Sequence, residues 1–288
     1  MEALGDDVLS EAKAMLRRMR LLEERGVEFS QTPLHALKSF GSDGLVFPAA
    51  EAASWPLDRV LRQGFLRPHS ARAGAPSPTH VTHRLGLCDE RGEVRAVVTQ
   101  TDVARWLDRA LDALPELAAA SARDLGLGTG GLIGVRPDTP ALEALGLMRS
   151  SGVSAVVVRD ADGGLVGNFS ASDMRSILAE HFGALALPVG EFLAREHGTE
   201  YAGYAVQSEE EGDARAKNLE FLERRSSRPG YEVGQDLVTC ILKHVVEKLV
   251  KNGLHRLYVV DDELKPTGVI TLTDILSRVC LEPEQAEA

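Results

Sequence analysis

HRLGLCDERGEVRAVVTQTDVARWL from His83, SAVVVRDADGGLVGNFSASDMRSIL from Ser154 and HRLYVVDDELKPTGVITLTDILSRV from His255 are three renderings of one phrase. Each runs through a few apolar β-formers, a polar turn and more β-formers, and then reaches [ST]-x-x-D at the start of a helical pattern. Apolar spacing that changes from strand-like to helix-like across a fixed corner marks a hairpin feeding a helix. Repetition on this scale sets the architecture before any single motif is weighed, and the fold class it predicts is α/β, built of tandem repeats. Every corner also carries a hydroxyl and a carboxylate: Thr99 with Asp102, Ser170 with Asp173, Thr271 with Asp274.

Working outward, the two later phrases have an upstream half. GLIGVRPDTPALEALGLMRSSG, from Gly131, offers a strand and then a helix, with Pro140 suited to the first turn and Ala141, Leu142, Leu145, Leu147 and Met148 as its apolar stripe. LVTCILKHVVEKLVKNG, from Leu237, repeats the layout with Ile241, Val245, Val246 and Leu249 on one face and Asn252-Gly253 as the stop. The predicted unit is β-α-β-β-α. Upstream of His83 the pattern thins: GLVFPAAEAASWPLDRVLRQGFL, from Gly44, gives a strand and helix, and SARAGAPSPT, from Ser70 to Thr79, reads as a loop. Within Met1 to Lys38, Val8, Ala12, Met15, Leu16, Met19 and Leu22 fall at helical spacing.

The corner aspartates are unevenly spaced, Asp173 to Asp274 being the longer interval. The surplus falls in the polar stretch from Arg195 to Gly230, with Glu209-Glu210-Glu211, Arg224-Arg225 and Pro229-Gly230, which reads as a solvated insertion with a helix over Asp213 to Arg225. The domain plan is therefore an N-terminal helix and first-repeat remnant (1–43), repeats at 44–118 and 119–194, the insertion (195–230), a third repeat (231–282) and a tail (283–288).

Composition narrows the function. A formal charge of -11 disfavours a nucleic-acid binder, because phosphate neutralisation needs a surplus of Lys and Arg. Cys88, Cys240 and Cys280 form no C-x-x-C pair and read as reduced core thiols of a cytosolic protein. No apolar run approaches the roughly 20 residues that span a bilayer, and the acidic start MEALGDDVLSEAK does not resemble a signal, so the expected location is cytoplasmic with nuclear access and no membrane partner. No nucleophile elbow, Walker loop, H-E-x-x-H or kinase signature is present, and the expectation is a non-enzyme. LGLGTGGLIG, from Leu125 to Gly134, imitates a phosphate loop but precedes a strand instead of following one, and reads as a flexible linker between repeats.

The three phrases resemble CBS domains, β-α-β-β-α modules that occur in tandem pairs. The likeness extends over Gly44 to Leu281 apart from the insertion, and is similar in detail to the gamma regulatory subunits of AMP-activated protein kinase and their plant sucrose-nonfermenting-related counterparts. VEKLVKNGLHRLYVVDDELKPTGVITLTDIL carries it furthest, GVSAVVVRDADGGLVGNFSASDMRSIL is similar to a third gamma repeat, and HRLGLCDERGE resembles a second. The resemblance implies repeats paired into one or two Bateman modules, whose clefts take AMP, ADP or ATP as a regulatory ligand with no cofactor. It implies kinase catalytic and beta subunits as partners, and homodimers through the discs. It assigns Asp102, Asp173 and Asp274 to ribose hydroxyls, Thr99, Ser170 and Thr271 to ribose or phosphate, and His83-Arg84 and His255-Arg256 to phosphates.

The chemistry of these side chains agrees with that assignment, since an ionised carboxylate accepts from a diol and cations with exposed N–H groups meet phosphate. The bland alternative for each corner is a helix cap worth about 1 kcal/mol. Other departures also count. Ser154-Ala155 replaces His-Arg in the middle phrase, Phe169 is large enough to fill adenine's place, and no phrase of this kind exists before His83. Two alternatives to a nucleotide sensor therefore stay open: a CBS scaffold with degenerate sites, and a regulator of another enzyme or transporter.

Overall fold

The computed structural model describes residues 2–33, 46–66, 82–129, 131–174, 177–197, 241–261, 263 and 265–280. In chain order these form α1 (Glu2–Ser30), β1 (Val46–Pro48), α2 (Ala49–Ala52), α3 (Leu57–Val60), β2 (Arg84–Cys88), β3 (Val94–Thr99), α4 (Gln100–Ala110) and α5 (Pro115–Ala119). Next come β4 (Gly134–Val135), α6 (Ala141–Ser151), β5 (Ala155–Arg159), β6 (Leu165–Ser170), α7 (Val189–His197), α8 (Leu242–Asn252), β7 (Arg256–Val260), β8 (Pro266–Thr271) and α9 (Leu272–Arg278). Short 3₁₀ segments lie at Leu111–Ala113, Ala171–Met174 and Ala179–Ala186, and α3 runs into a π-turn at Leu61–Phe65. The loop Ser70 to Thr79, the helix expected over Asp213 to Arg225, Cys240 and the tail lie outside the described residues.

Each phrase folds into an antiparallel hairpin by the same device. Asp89 Oδ1 accepts from the backbone N–H of Arg91 and Glu93 at 2.8 and 3.0 Å. Asp160 Oδ1 accepts from Asp162 and Gly164 at 3.0 and 2.7 Å, and Asp261 Oδ1 from Glu263 and Lys265 at 3.1 and 2.8 Å. An aspartate that caps its own turn in this way replaces a backbone turn bond. Each hairpin then carries a register shift just before that turn, at Leu87/Cys88, Val158/Arg159 and Val259/Val260. A parallel strand from the upstream half completes two of the sheets, in the orders β1-β2-β3 and β4-β5-β6.

The chain divides into two compact units, one of Met1–Phe40 with Ile133–Val233 and one of Gly41–Leu132 with Gly234–Ala288. In the first, α1 lies along Ala179–Ala186, with Leu16 and Met19 buried as the helical spacing predicts. The core joins Met148, Val156 and Val158 to Phe169 and Phe192, whose rings meet edge to face at 5.4 Å. Phe169 is fully buried among these packed side chains. Leu142, assigned to the apolar stripe of α6, is 45% exposed, because Ala141, Ala144 and Met148 take the inward face.

The second unit packs the hairpin at 84–99 and its helix α4 together with α8, β7, β8 and α9. The last repeat thus shares its unit with the phrase at His83. Its core combines Ala104 and Leu107 of α4 with Leu242, Val245, Val246 and Leu249 of α8 and Leu257, Ile270 and Ile275 beyond them. Full burial of each such leucine or isoleucine is worth about 1.5–3 kcal/mol. Lys243 of α8 reaches across to the Asp108 carbonyl at 3.1 Å and to Asp112 Oδ1 at 2.9 Å, fixing the far end of α4. The start of the glycine-rich stretch is a packed turn: Leu127 is buried, and Gly128, at φ 72°, lies against Val259, Ile270 and Gly268.

Candidate functional site

Backbone register brings the strand head to the corner in every copy. Gln100 N–H donates to His83 O at 3.3 Å, Ala171 N–H to Ser154 O at 2.9 Å and Leu272 N–H to His255 O at 3.1 Å. In the hairpins, Arg84 pairs with Thr99, Ala155 with Ser170 and Arg256 with Thr271. Directly opposed residues of an antiparallel pair share a face, so Arg84 stands beside the Thr99 hydroxyl and Arg256 beside that of Thr271.

Two of the corners are reciprocal caps. Thr99 Oγ1 accepts from Asp102 N–H at 3.1 Å, while Asp102 Oδ2 accepts from Thr99 N–H at 2.9 Å and from its hydroxyl at 2.7 Å. Thr271 and Asp274 reproduce this at 3.2, 2.8 and 2.8 Å. Ser170 N–H and Oγ donate to Asp173 Oδ2 at 2.6 and 3.0 Å. The cap and ligand readings are compatible, since capping consumes one carboxylate oxygen and leaves the other. Asp102 Oδ1 is met by Arg105 Nη1 at 3.0 Å, whereas Asp274 Oδ1 has no hydrogen-bond partner among the described residues. The hydroxyl of Thr99 is the largest of the causes that hold the Asp102 carboxyl below the usual carboxylate range, with Arg105 contributing.

The middle corner differs in structure as well as in sequence. Ser170 is 6% exposed and Ala155 8%, and Asp173 sits in a four-residue 3₁₀ segment where the sequence predicts the start of a helix. It belongs to the first unit, while Thr99, Asp102, His83, Arg84, Thr271, Asp274, His255 and Arg256 all belong to the second.

Within that second unit the two phrases face one another. The buried Gln100 side chain donates through Nε2 to Thr82 O at 3.1 Å and to Thr273 Oγ1 at 3.3 Å, joining the first turns of α4 and α9. His83 keeps exposed surface, yet its ring is desolvated enough to lower its pKa. The nearby charges of Arg256 and Arg84 add to that lowering, and a hydrogen bond with Gln100 opposes it. One unit therefore gathers cations and carboxylates from two repeats. Sequence reasoning missed Gln100, Thr273 and Arg105. The available signal was a polar residue at 100, where the other corners carry Ala171 and Leu272.

Comparison with known proteins matches residues 126–180 and 239–280 to the CBS domain family model. Protein sds23 of Neosartorya fischeri is 29% identical over 184 residues, covering 62% of this chain and 30% of the relative. The 5'-AMP-activated protein kinase subunit gamma-3 of Bos taurus is 28% identical over 212 residues, covering 72% of this chain and 37% of the relative. The chain thus spans about a third of the length of the curated relatives it matches. Among solved structures, the CBS domain of a CBS domain containing membrane protein from Sphaerobacter thermophilus aligns at 24% identity and a TM-score of 0.33, covering 62% of this chain and 99% of that one. No helix among the described residues is long and apolar enough to cross a membrane.

Proposed function

We propose that this chain, two segments of which match the CBS domain family model, is a non-catalytic regulatory subunit that binds adenosine nucleotides in its second unit and modulates a partner kinase of the AMP-activated type. The observation that carries the reading is the meeting, in that unit, of two cation-bearing strand heads with two [ST]-x-x-D corners. Asp274 has an acceptor oxygen left over for a ribose hydroxyl, and Arg84 and Arg256 supply the positive charge that a phosphate requires, with the imidazoles of His83 and His255 next to them in the chain. Thr99, Asp102 and Thr271 complete the paired corners. Ser170 and Asp173 are assigned to ribose as well, at a site with no strand-borne cation.

The kinase partner is supported by the likeness to the gamma-3 subunit over 72% of this chain. A nucleotide acts on such a partner only through its differential affinity for two states of the assembly. Calorimetric titration with AMP, ADP and ATP tests the ligand. Binding is expected, and an absence of heat at millimolar nucleotide, or unchanged binding in the Asp274→Ala, Arg256→Ala double variant, would overturn it. Recovery of kinase catalytic and beta subunits with the native protein tests the partner.

A scaffold with degenerate sites is the second reading, favoured by the closed middle corner, where Ser170 is buried, and by Arg105 on Asp102. Co-purification of unrelated partners on nucleotide-free protein would select it.

A further inference from the structure

Gln100 is 3% exposed, as is Leu272, the residue that makes the equivalent backbone bond at the last corner. Packing alone is thus satisfied by an apolar side chain in this slot, while a buried amide is unfavourable unless bonded. The amide here is fully engaged. Its Nε2 donates to Thr82 O at 3.1 Å and to Thr273 Oγ1 at 3.3 Å, that hydroxyl lies 3.4 Å from Oε1, and the side chain also bonds to His83. Thr82 immediately precedes the His83-Arg84 pair and Thr273, 173 residues from Gln100, immediately precedes Asp274, so one side chain joins two segments distant in sequence.

We propose that Gln100 is a positioning residue that clamps the head of β2 to the first turn of α9, so that His83 and Arg84 of one repeat and Asp274 of the other act on a single phosphorylated nucleoside. The proposal deepens the nucleotide reading and rests on it for its affinity test. The charged groups that face His83 are Arg84 on its own strand and Arg256 at the head of β7. A phosphate entering among them opposes their field, and Gln100 is the partner that favours the protonated imidazole there.

The test uses the full chain with Gln100→Leu, which imitates the last corner, and Thr273→Val, which keeps the shape and removes the hydroxyl. Nuclear magnetic resonance titration of the ligand-free protein, with the His83 signal assigned by its loss in His83→Gln, should place the His83 midpoint lower in Gln100→Leu. A purely structural role for the amide leaves that midpoint where it is. In calorimetry each variant should bind ATP about three- to tenfold more weakly, as loss of one hydrogen bond implies, and the double variant no more weakly than Gln100→Leu alone. An unmoved His83 midpoint, undiminished ATP affinity in Gln100→Leu, or additive losses in the double variant overturns the clamp. If the unmodified chain binds no nucleotide, the functional reading falls, and the His83 midpoint alone decides the clamp.

Discussion

Arg105 Nη1 stands 3.0 Å from Asp102 Oδ1, whereas the corresponding oxygen of Asp274 makes no hydrogen bond among the described residues. Two corners that look alike in sequence therefore differ in what remains for a ligand. The pair is exposed, with side chains 54% and 45% accessible, so it competes only weakly for Asp102 in water. Asp274→Ala is expected to weaken ATP binding about tenfold or more, as loss of a charged hydrogen bond implies. Asp102→Ala should cost clearly less, and Arg105→Ala should leave affinity unchanged or improve it slightly. Calorimetric affinities of the three variants check this order, and equal losses at Asp102 and Asp274 would contradict it.

The corner hydroxyls contribute to stability whether or not a ligand binds. Thr271→Val removes the acceptor for Asp274 N–H and the hydroxyl donor to its carboxylate, and should cost about 1 kcal/mol in denaturant unfolding. Thr99→Val should cost less, because its corner is more exposed, and should also change the acid limb. The Asp102 pKa is lowered in the folded chain, so its contribution is present at neutral pH and disappears as pH falls through the folded value. The unfolded chain takes up that proton first. Thr99→Val should therefore flatten the loss of stability below the ordinary carboxylate range, and an unchanged pH profile would contradict the cap as its cause.

The local part of this molecule was legible in the sequence because it is written locally. Thr99-x-x-Asp102 and Thr271-x-x-Asp274 became capping boxes, and Asn252-Gly253 ended α8 with Gly253 in the left-handed region at φ 64°. Errors arose where phase or distance decided the outcome. Leu142 lost the inward face of α6 to Ala141 and Ala144, a rotation that a loosely drawn stripe does not resolve. The middle corner carries the right letters but opens a 3₁₀ segment in a buried setting. The partnership of the phrases at His83 and His255 depends on contacts such as Gln100 with Thr273 and Lys243 with Asp112, which leave no trace in sequence spacing.

The glycines at 128 and 253 separate backbone strain from steric exclusion. At Gly253 a Cβ meets nothing within 4 Å, so Gly253→Ala should cost only the left-handed penalty of about 1–2 kcal/mol. At Gly128 the same penalty applies at φ 72°, and a Cβ would also lie 2.7 Å from Val259 Cγ2 and 3.3 Å from Ile270 Cγ1. Gly128→Ala should therefore be the more destabilising of the two by urea titration. Equal costs would mean that the turn at 126–128 yields freely, as a linker would.

Cys280 lies half-buried beside the core that holds Leu276, and burial pushes its thiol up to about 11. Only the thiolate is nucleophilic, so at pH 8 the folded chain should alkylate at this position far more slowly than the urea-unfolded chain. Mass spectrometry after timed iodoacetamide treatment reads that ratio. Stability follows the same sign. The folded thiol retains its proton where an unfolded one has begun to lose it, so the native state binds more protons between about pH 9 and 11 and stability falls as pH rises through that window. Cys280→Ala should remove this part of the alkaline loss, at the expense of some packing against the cores of the second unit. Equal labelling rates for Cys280 in folded and unfolded protein at pH 8 would show that the thiol is not shielded by burial.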